Sequence, residues 1–467
     1  MTTRTLVRGG LVVTAADETR ADVLIEDGRI AALAAHDTDT ARGWSAGTVI
    51  DATGRYVLPG GVDAHTHMEM PFGGTYASDT FETGTRAAAW GGTTTIVDFA
   101  IQSRGQTLRQ GLDAWFAKAD GRCAVDYGFH MILSDVNEHS LAEMDLLVQE
   151  GVTSFKLFMA YPGVFYSDDG RILRAMQRAA GNGGLVMTHA ENGIAIDVLV
   201  QQALAEGRTD PRAHGEVRRA LLEAEATHRA IQLARVAGAP LYVVHVSAQE
   251  ALAEIAAARD LGLPVHAETC PQYLFLSTDN LAEPDFEGAK YVCSTPLRPR
   301  EHQEALWRGL RTDDLQVVST DHCPFCFAGQ KDLGRGDFSK IPNGMPGVEN
   351  RMDLLHQGVV EGRITRRRWI DLACAAPARM FGLYPKKGTL APGSDADLVV
   401  YDPHAEQVIS AATHHMNVDY SAYEGRRVTG RVETVLSRGV PVIENGAYVG
   451  RAGHGGYLPR GTGQYAH

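Results

Sequence analysis

Histidines and one carboxylate recur in this 467-residue chain at one kind of place, where an apolar run of strand length gives way to polar residues. His65-Thr66-His67 closes the first such run. In an extended chain residues i and i+2 project from the same face, so both imidazoles can reach one point, as a bound metal would require. Alone the pair is a weak signal, because histidines at a strand end are also ordinary surface residues. His189 in Thr188-His-Ala-Glu191, His245 in Val244-His-Val246 and Asp321 in Thr320-Asp-His322 repeat the placement on three further runs. Neutral imidazoles and carboxylates are the ligands that zinc and similar divalent ions take from proteins, so the coincidence argues for a metal centre. Lys156 lies among large apolar residues in Ser154-Phe-Lys-Leu-Phe158. A buried ammonium is expensive, so its pKa falls and the neutral amine becomes populated. Snorkelling or pairing with a carboxylate is the competing reading, and its place among the ligands favours a reactive or metal-linked role.

The elements that must position these residues read as parallel βα units. Eight apolar runs (56–64, 94–99, 127–133, 153–158, 184–188, 241–246, 264–268 and 315–320) alternate with longer amphipathic segments such as 172–180, 216–237 and 248–261. That alternation predicts a closed (β/α)8 TIM barrel, an α/β fold that gathers chemistry at the C-terminal ends of its strands. Short β-branched runs at 5–14 and 23–33, the second broken by Asp27-Gly28, predict antiparallel hairpins. The pattern returns at 396–401 and 432–443, so both chain ends are expected to build one small β-sandwich domain. The expected division is 1–54 for its N-terminal part, 55–385 for the barrel, 386–446 for its C-terminal part and 447–467 for a Gly-rich tail that could pack on a neighbouring subunit.

Composition narrows the class. Lys plus Arg number 44 against 57 Asp plus Glu, and no basic run could neutralise a phosphate backbone, which excludes nucleic acid as a partner. No apolar run approaches the roughly 18 residues of a membrane span, and the N-terminus lacks a secretory h-region. Six scattered cysteines are too few for a disulfide framework and are expected to be reduced; the Cys323-Pro-Phe-Cys326 spacing has no second pair and reads as incidental. A cytoplasmic protein is expected.

Seven motifs carry a resemblance over nearly the whole length: Gly60-Gly-Val-Asp-Ala-His-Thr-His67, Pro71-Phe-Gly-Gly-Thr75, Gly91-Gly-Thr-Thr-Thr-Ile-Val-Asp-Phe99, Ser154-Phe-Lys-Leu-Phe-Met-Ala-Tyr161, Thr188-His-Ala-Glu191, Ser319-Thr-Asp-His-Cys-Pro-Phe325 and Ile341-Pro-Asn-Gly-Met-Pro-Gly347. Together they resemble the dihydropyrimidinase and D-hydantoinase group of the cyclic amidohydrolases, in the amidohydrolase superfamily. The resemblance implies two zinc ions, the more buried held by His65, His67 and Asp321 and the second by His189 and His245, bridged by a carboxylated Lys156. Two such ions share a water, lower its pKa and polarise the carbonyl under attack, so hydrolysis of a cyclic amide is implied. By the same resemblance Asp321 moves the proton to the leaving ring nitrogen and Tyr161 hydrogen-bonds the developing oxyanion. Ser294 and Asn343 pair with the imide edge of a small cyclic ureide, either a dihydropyrimidine or a 5-substituted hydantoin. A homotetramer is the family expectation.

Other residues carry weaker readings. Asp63, two before His65, either supports the ligands or packs the barrel. Met68, Met70, Phe72 and Phe158 are expected to line the substrate side, and His130, His266, His322, His414 and His415 to be structural. Dihydroorotase and allantoinase share the metal set. Dihydroorotase-like chains place an arginine two residues after the H-x-H, where this chain has Glu69, so an acidic ring is disfavoured. The collapsin-response mediators have the fold without the ligands, whereas this chain keeps all six candidates.

Overall fold

The first apolar run changes sheets in its middle, at Gly60. In the computed structural model, which describes residues 3–464, Tyr56–Pro59 pairs antiparallel with Leu398–Val408 and parallel with Arg4–Val13. The chain then enters the barrel as β1, Gly61–Thr66. The crossing is so tight that a Cβ on Gly60 would lie 2.1 Å from the Thr94 hydroxyl. The N-terminal part of the sheet domain therefore extends past residue 54, through Pro59.

Seven further strands complete the barrel: β2 Thr93–Ile101, β3 Asp126–Ile132, β4 Ser154–Phe158, β5 Leu185–His189, β6 Leu241–Val243, β7 Val265–Thr269 and β8 Val317–Val318. All neighbouring ladders are parallel and follow chain order, as right-handed βα crossovers require. The eight predicted runs all supply barrel strands. Between β8 and β1 the sheet closes through side chains and a single bridge from Thr66 to His322. Asp63 accepts from the Thr320 amide at 3.1 Å and its hydroxyl at 2.6 Å, and buried Arg351 donates to the carbonyls of Val62 and Val318, both at 3.0 Å. Asp63 also accepts from the His65 amide at 3.4 Å, so its contacts serve both of its readings, barrel closure and support of the candidate ligands.

Helices cover the outside. Asp169–Asn182 is capped by the Asp168 carboxylate and stopped by Gly183 at φ 77°, and it buries Ile172, Ala175, Met176 and Ala179 at helical spacing. Full burial of Ile172 or Met176 contributes about 1.5–3 kcal/mol each. The helix expected over 216–237 is two helices, Arg212–Val217 and Ala220–Ala237, because Arg218 and Arg219 leave helical conformation between them.

The chain ends form a nine-strand sheet with a core of its own, including Val7, Val23, Leu398 and Leu436. Asp27 and Gly28 turn its second hairpin with φ of 47° and 81°, the left-handed pair that suits the twist of a two-residue hairpin. The sheet is mixed and departs from the expected antiparallel order, since Arg4–Val13 pairs parallel with both Thr48–Asp51 and Tyr56–Pro59. Of the expected tail, Ala447–Tyr448 is the last strand of the end sheet, and the chain from 455 to 460 packs on its own barrel, at the N-terminal ends of the strands. Leu458 donates to Tyr127 O at 2.7 Å and Arg460 to Gly151 O at 3.0 Å. Residues 465–467 of the expected tail lie outside the described residues.

Candidate active site

The barrel brings the six candidate ligands to one end. His65 is in β1 and His67 just beyond it, Lys156 lies within β4, His189 ends β5, and His245 and Asp321 follow β6 and β8. His65 Nε2 lies 3.2 Å from His67 Nε2, and Asp321 Oδ1 is 3.1 and 3.2 Å from those two nitrogens. Tetrahedral bonds of 2.0–2.1 Å place neighbouring donors about 3.3 Å apart, so this triangle fits one face of a zinc-like site. Lys156 Nζ is 3.0 Å from His65 Nε2. The His189 and His245 rings sit 4.6 Å apart, with His245 5.6 Å from His65. Buried His67 Nδ1 and His245 Nδ1 have no hydrogen-bond partner among the described residues. Tyr161, His245 and Asp321 hold φ of 62°, 40° and 51°, conformations rare for non-glycine residues and concentrated at functional sites.

Burial sets the electrostatics. It pushes His67 down to about 3, so this imidazole is neutral with a free lone pair at pH 7. Burial also lowers Lys156, to about 8, against the opposing charges of Asp321 and Glu268. Although burial opposes ionisation of Asp321, the neighbouring His65 and His67 hold its carboxyl well below the usual range.

Two carboxylates behind the ligands were not singled out as functional residues from the sequence. Glu268 in β7 takes the hydrogen bond of His65 Nδ1 and is itself held by the Tyr242 hydroxyl at 2.9 Å. Glu191 takes that of His189 Nε2 at 2.7 Å. A carboxylate on the far ring nitrogen fixes the tautomer and aims the other nitrogen into the site, the usual support of a metal-bound histidine. The His-Ala-Glu triplets at 189–191 and 266–268 were the available signal. His322 is structural as expected, donating to Asp79 at 3.0 Å and accepting from the Gly347 amide at 3.1 Å. His130 is likewise engaged by Ser154 Oγ and Ala64 O.

Opposite the ligands, Asn343 Nδ2 donates to Ser294 Oγ at 3.0 Å and to the Tyr161 hydroxyl at 3.4 Å, which brings the three expected substrate-side residues together. They line an inner cavity of about 40 Å³ whose apolar wall includes Met70, Phe72, Phe158 and Phe165. Past Phe72, Tyr161 and Asn343 it gives way to an outer cavity of about 930 Å³. Two expectations fail here. Met68 turns away from the cavity and packs on Gly84, where a Cβ would meet its sulfur at 2.2 Å. Glu69 lines neither cavity: at φ 52° its chain turns, and its carboxylate faces the Phe81 amide at 3.4 Å, at the start of the helix Phe81–Trp90. The Glu69 carboxylate thus stands outside both cavities.

Residues 56–442 match the amidohydrolase family, and with the barrel and its ring of ligand-type residues the chain belongs to that family. Within it the chain falls in the dihydropyrimidinase and hydantoinase group and is a hydrolase acting on cyclic amides. A D-hydantoinase of Streptomyces coelicolor is 81% identical over 465 residues, covering 100% of both chains. A D-hydantoinase of Geobacillus stearothermophilus is 51% identical over 457 residues, 97% of this chain and 96% of the relative. The crystal structure of dihydropyrimidinase from Brevibacillus agri NCHU1002 superposes with a TM-score of 0.96 at 50% identity over 99% of each chain.

Proposed function

We propose that this enzyme opens the rings of 5-substituted hydantoins to N-carbamoyl amino acids and of dihydropyrimidines such as dihydrouracil to N-carbamoyl-β-alanine. The observation that carries the reading is the triangle of His65 Nε2, His67 Nε2 and Asp321 Oδ1, with side lengths of 3.1–3.2 Å. In this reading His65, His67 and Asp321 would hold one zinc and His189 and His245 a second, and Lys156, carboxylated to a carbamate, would supply an anionic oxygen ligand shared by the two. An unmodified ammonium 3.0 Å from a ligand nitrogen would repel a cation, whereas the depressed basicity of Lys156 favours the neutral amine that adds to carbon dioxide. When bound, such a pair of ions activates water and polarises the ring carbonyl.

The chain's own groups do the rest. Ser294 and Asn343 hold the imide edge, and the Tyr161 hydroxyl donates to the oxygen on which negative charge develops. Asp321 takes a proton from the attacking water and delivers it to the ring nitrogen that leaves. The apolar wall of Met70, Phe72 and Phe158 receives an uncharged ring substituent. With Glu69 out of the cavity, this wall is the ground for disfavouring dihydroorotate. The names of the 81% and 51% identical relatives favour hydantoins of the D series.

Six unpaired cysteines, five of them buried, agree with a reduced cytoplasmic setting. A homotetramer, tested by light scattering of the full chain, completes the reading. The central experiment combines metal analysis with kcat/KM for dihydrouracil, a 5-aryl hydantoin and dihydroorotate. Two zinc per chain and a preference for the uncharged rings are expected; preference for dihydroorotate refutes the substrate assignment. Lys156→Ala should lose zinc and hydrolysis together, and an unmodified amine in active crystals would refute the carbamate.

A further inference from the structure

Both supporting carboxylates are buried, but they are neutralised differently. Glu268, behind His65, is held by the Tyr242 hydroxyl and the His245 amide, both neutral donors. Glu191, behind His189, meets a full cation: Arg218 Nη1 donates to the same Oε2 that accepts from His189 Nε2, each at 2.7 Å. Among the described residues these are the hydrogen bonds that orient the Glu191 carboxylate. The guanidinium also lies 5.4 Å from the centre of the Tyr161 ring and lines the outer cavity. Its reach comes from the break between Arg212–Val217 and Ala220–Ala237, where Arg218 leaves helical conformation. The backbone at the break is pinned in turn, because Arg298 donates to Arg218 O and to Glu223 Oε2, the latter at 2.7 Å.

From this geometry we propose that Arg218 is a positioning residue for the second metal site: it locks Glu191, which fixes the tautomer and direction of His189. The proposal rests on the two-zinc reading above. Its physical content is asymmetry. The His65 ring is supported from within the barrel core by Glu268, whereas support of the His189 ring passes through a side chain on the wall of the substrate's approach. A carboxylate freed of its guanidinium can rotate off His189 Nε2, and Nδ1 then no longer presents its lone pair steadily to the site.

The test is zinc titration of metal-free wild type, Arg218→Gln, Arg218→Lys and Glu191→Gln, followed by calorimetry, with melting temperature recorded for each. Wild type should bind two equivalents. In Arg218→Gln the first equivalent should bind as in wild type and the second about 10- to 100-fold more weakly, the usual effect of losing such support. Glu191→Gln should do the same, and Arg218→Lys should recover part of the loss because it keeps a donor and a charge. A second equivalent within twofold of wild type in both Arg218→Gln and Glu191→Gln would overturn the assignment. If Arg218→Gln fails to fold, Arg218→Lys and Glu191→Gln still decide. Wild type that binds no zinc overturns the two-zinc reading itself, an outcome distinct from equal affinities across the set.

Discussion

A phenol pressed between an arginine and two turn side chains is the residue on which turnover is expected to depend. Burial raises the Tyr161 hydroxyl above its ordinary pKa despite the nearby Arg218 charge, so it stays a proton donor at neutral pH. Donation to an oxyanion is worth most in the transition state, and loss of one such donor costs about 10²- to 10³-fold. Tyr161→Phe should therefore keep its zinc and its KM while kcat falls by that order, measured by steady-state ring opening. A rise in KM with kcat preserved would make Tyr161 a wall of the site. The candidate histidines and Asp321 were legible because each stands where an apolar run ends, and Lys156 because a lysine inside such a run is out of place. Glu268 was not: its partner His65 is 203 positions away, and an acidic residue at a strand end has many solvated fates.

At the scale of elements the weak point is the seam between β8, only two residues long, and β1. Asp63 is fully buried and satisfies both the amide and the hydroxyl of Thr320, one residue before Asp321. Asp63→Ala leaves that buried amide without its partner, which costs about 1–3 kcal/mol, and frees the turn that aims Asp321. Thermal unfolding should report a lower melting temperature, and metal analysis weaker retention at the site shared with His65. A variant with wild-type melting temperature and zinc content would place closure elsewhere, for example on Arg351 alone. The sequence reading located β1 and β8 but left Asp63 open between two roles. Pairing of the first and last strands is a property of closure, which no local period encodes.

The whole molecule is joined at Lys387, whose ammonium is fully buried among three carboxylates: Asp126 at 2.7 Å, Asp397 at 2.8 Å and Asp395 at 3.0 Å. Asp126 begins barrel strand β3, Asp397 leads into Leu398–Val408 of the end sheet, and the Gly456 amide of the tail donates to Asp126 at 2.9 Å. Removing one partner of a buried ion pair costs about 3–5 kcal/mol, so Lys387→Met should lower the melting temperature sharply at pH 7. Although burial opposes its ionisation, Lys387 and Arg438 hold the Asp126 carboxyl below its ordinary value. Its contribution is therefore present above about pH 3.9 and lost as pH falls through the folded value. The gap between wild type and Lys387→Met should accordingly narrow below about pH 4; a constant gap would show that the lysine acts through packing alone. By itself the sequence determined the eight strand runs, the union of the chain ends and the imidazoles and carboxylate gathered at one end of the barrel, because hydrophobic period and the residues that end it are local properties. Only the tertiary structure decided which way Met68 and Glu69 face, that a helix breaks to deliver Arg218, and which carboxylates stand behind the histidines. The reason is physical: at Glu69, Tyr161, His245 and Asp321 the backbone turns left-handed, the two-residue alternation of faces lapses, and side-chain direction is set by contacts that exist only once the barrel has closed.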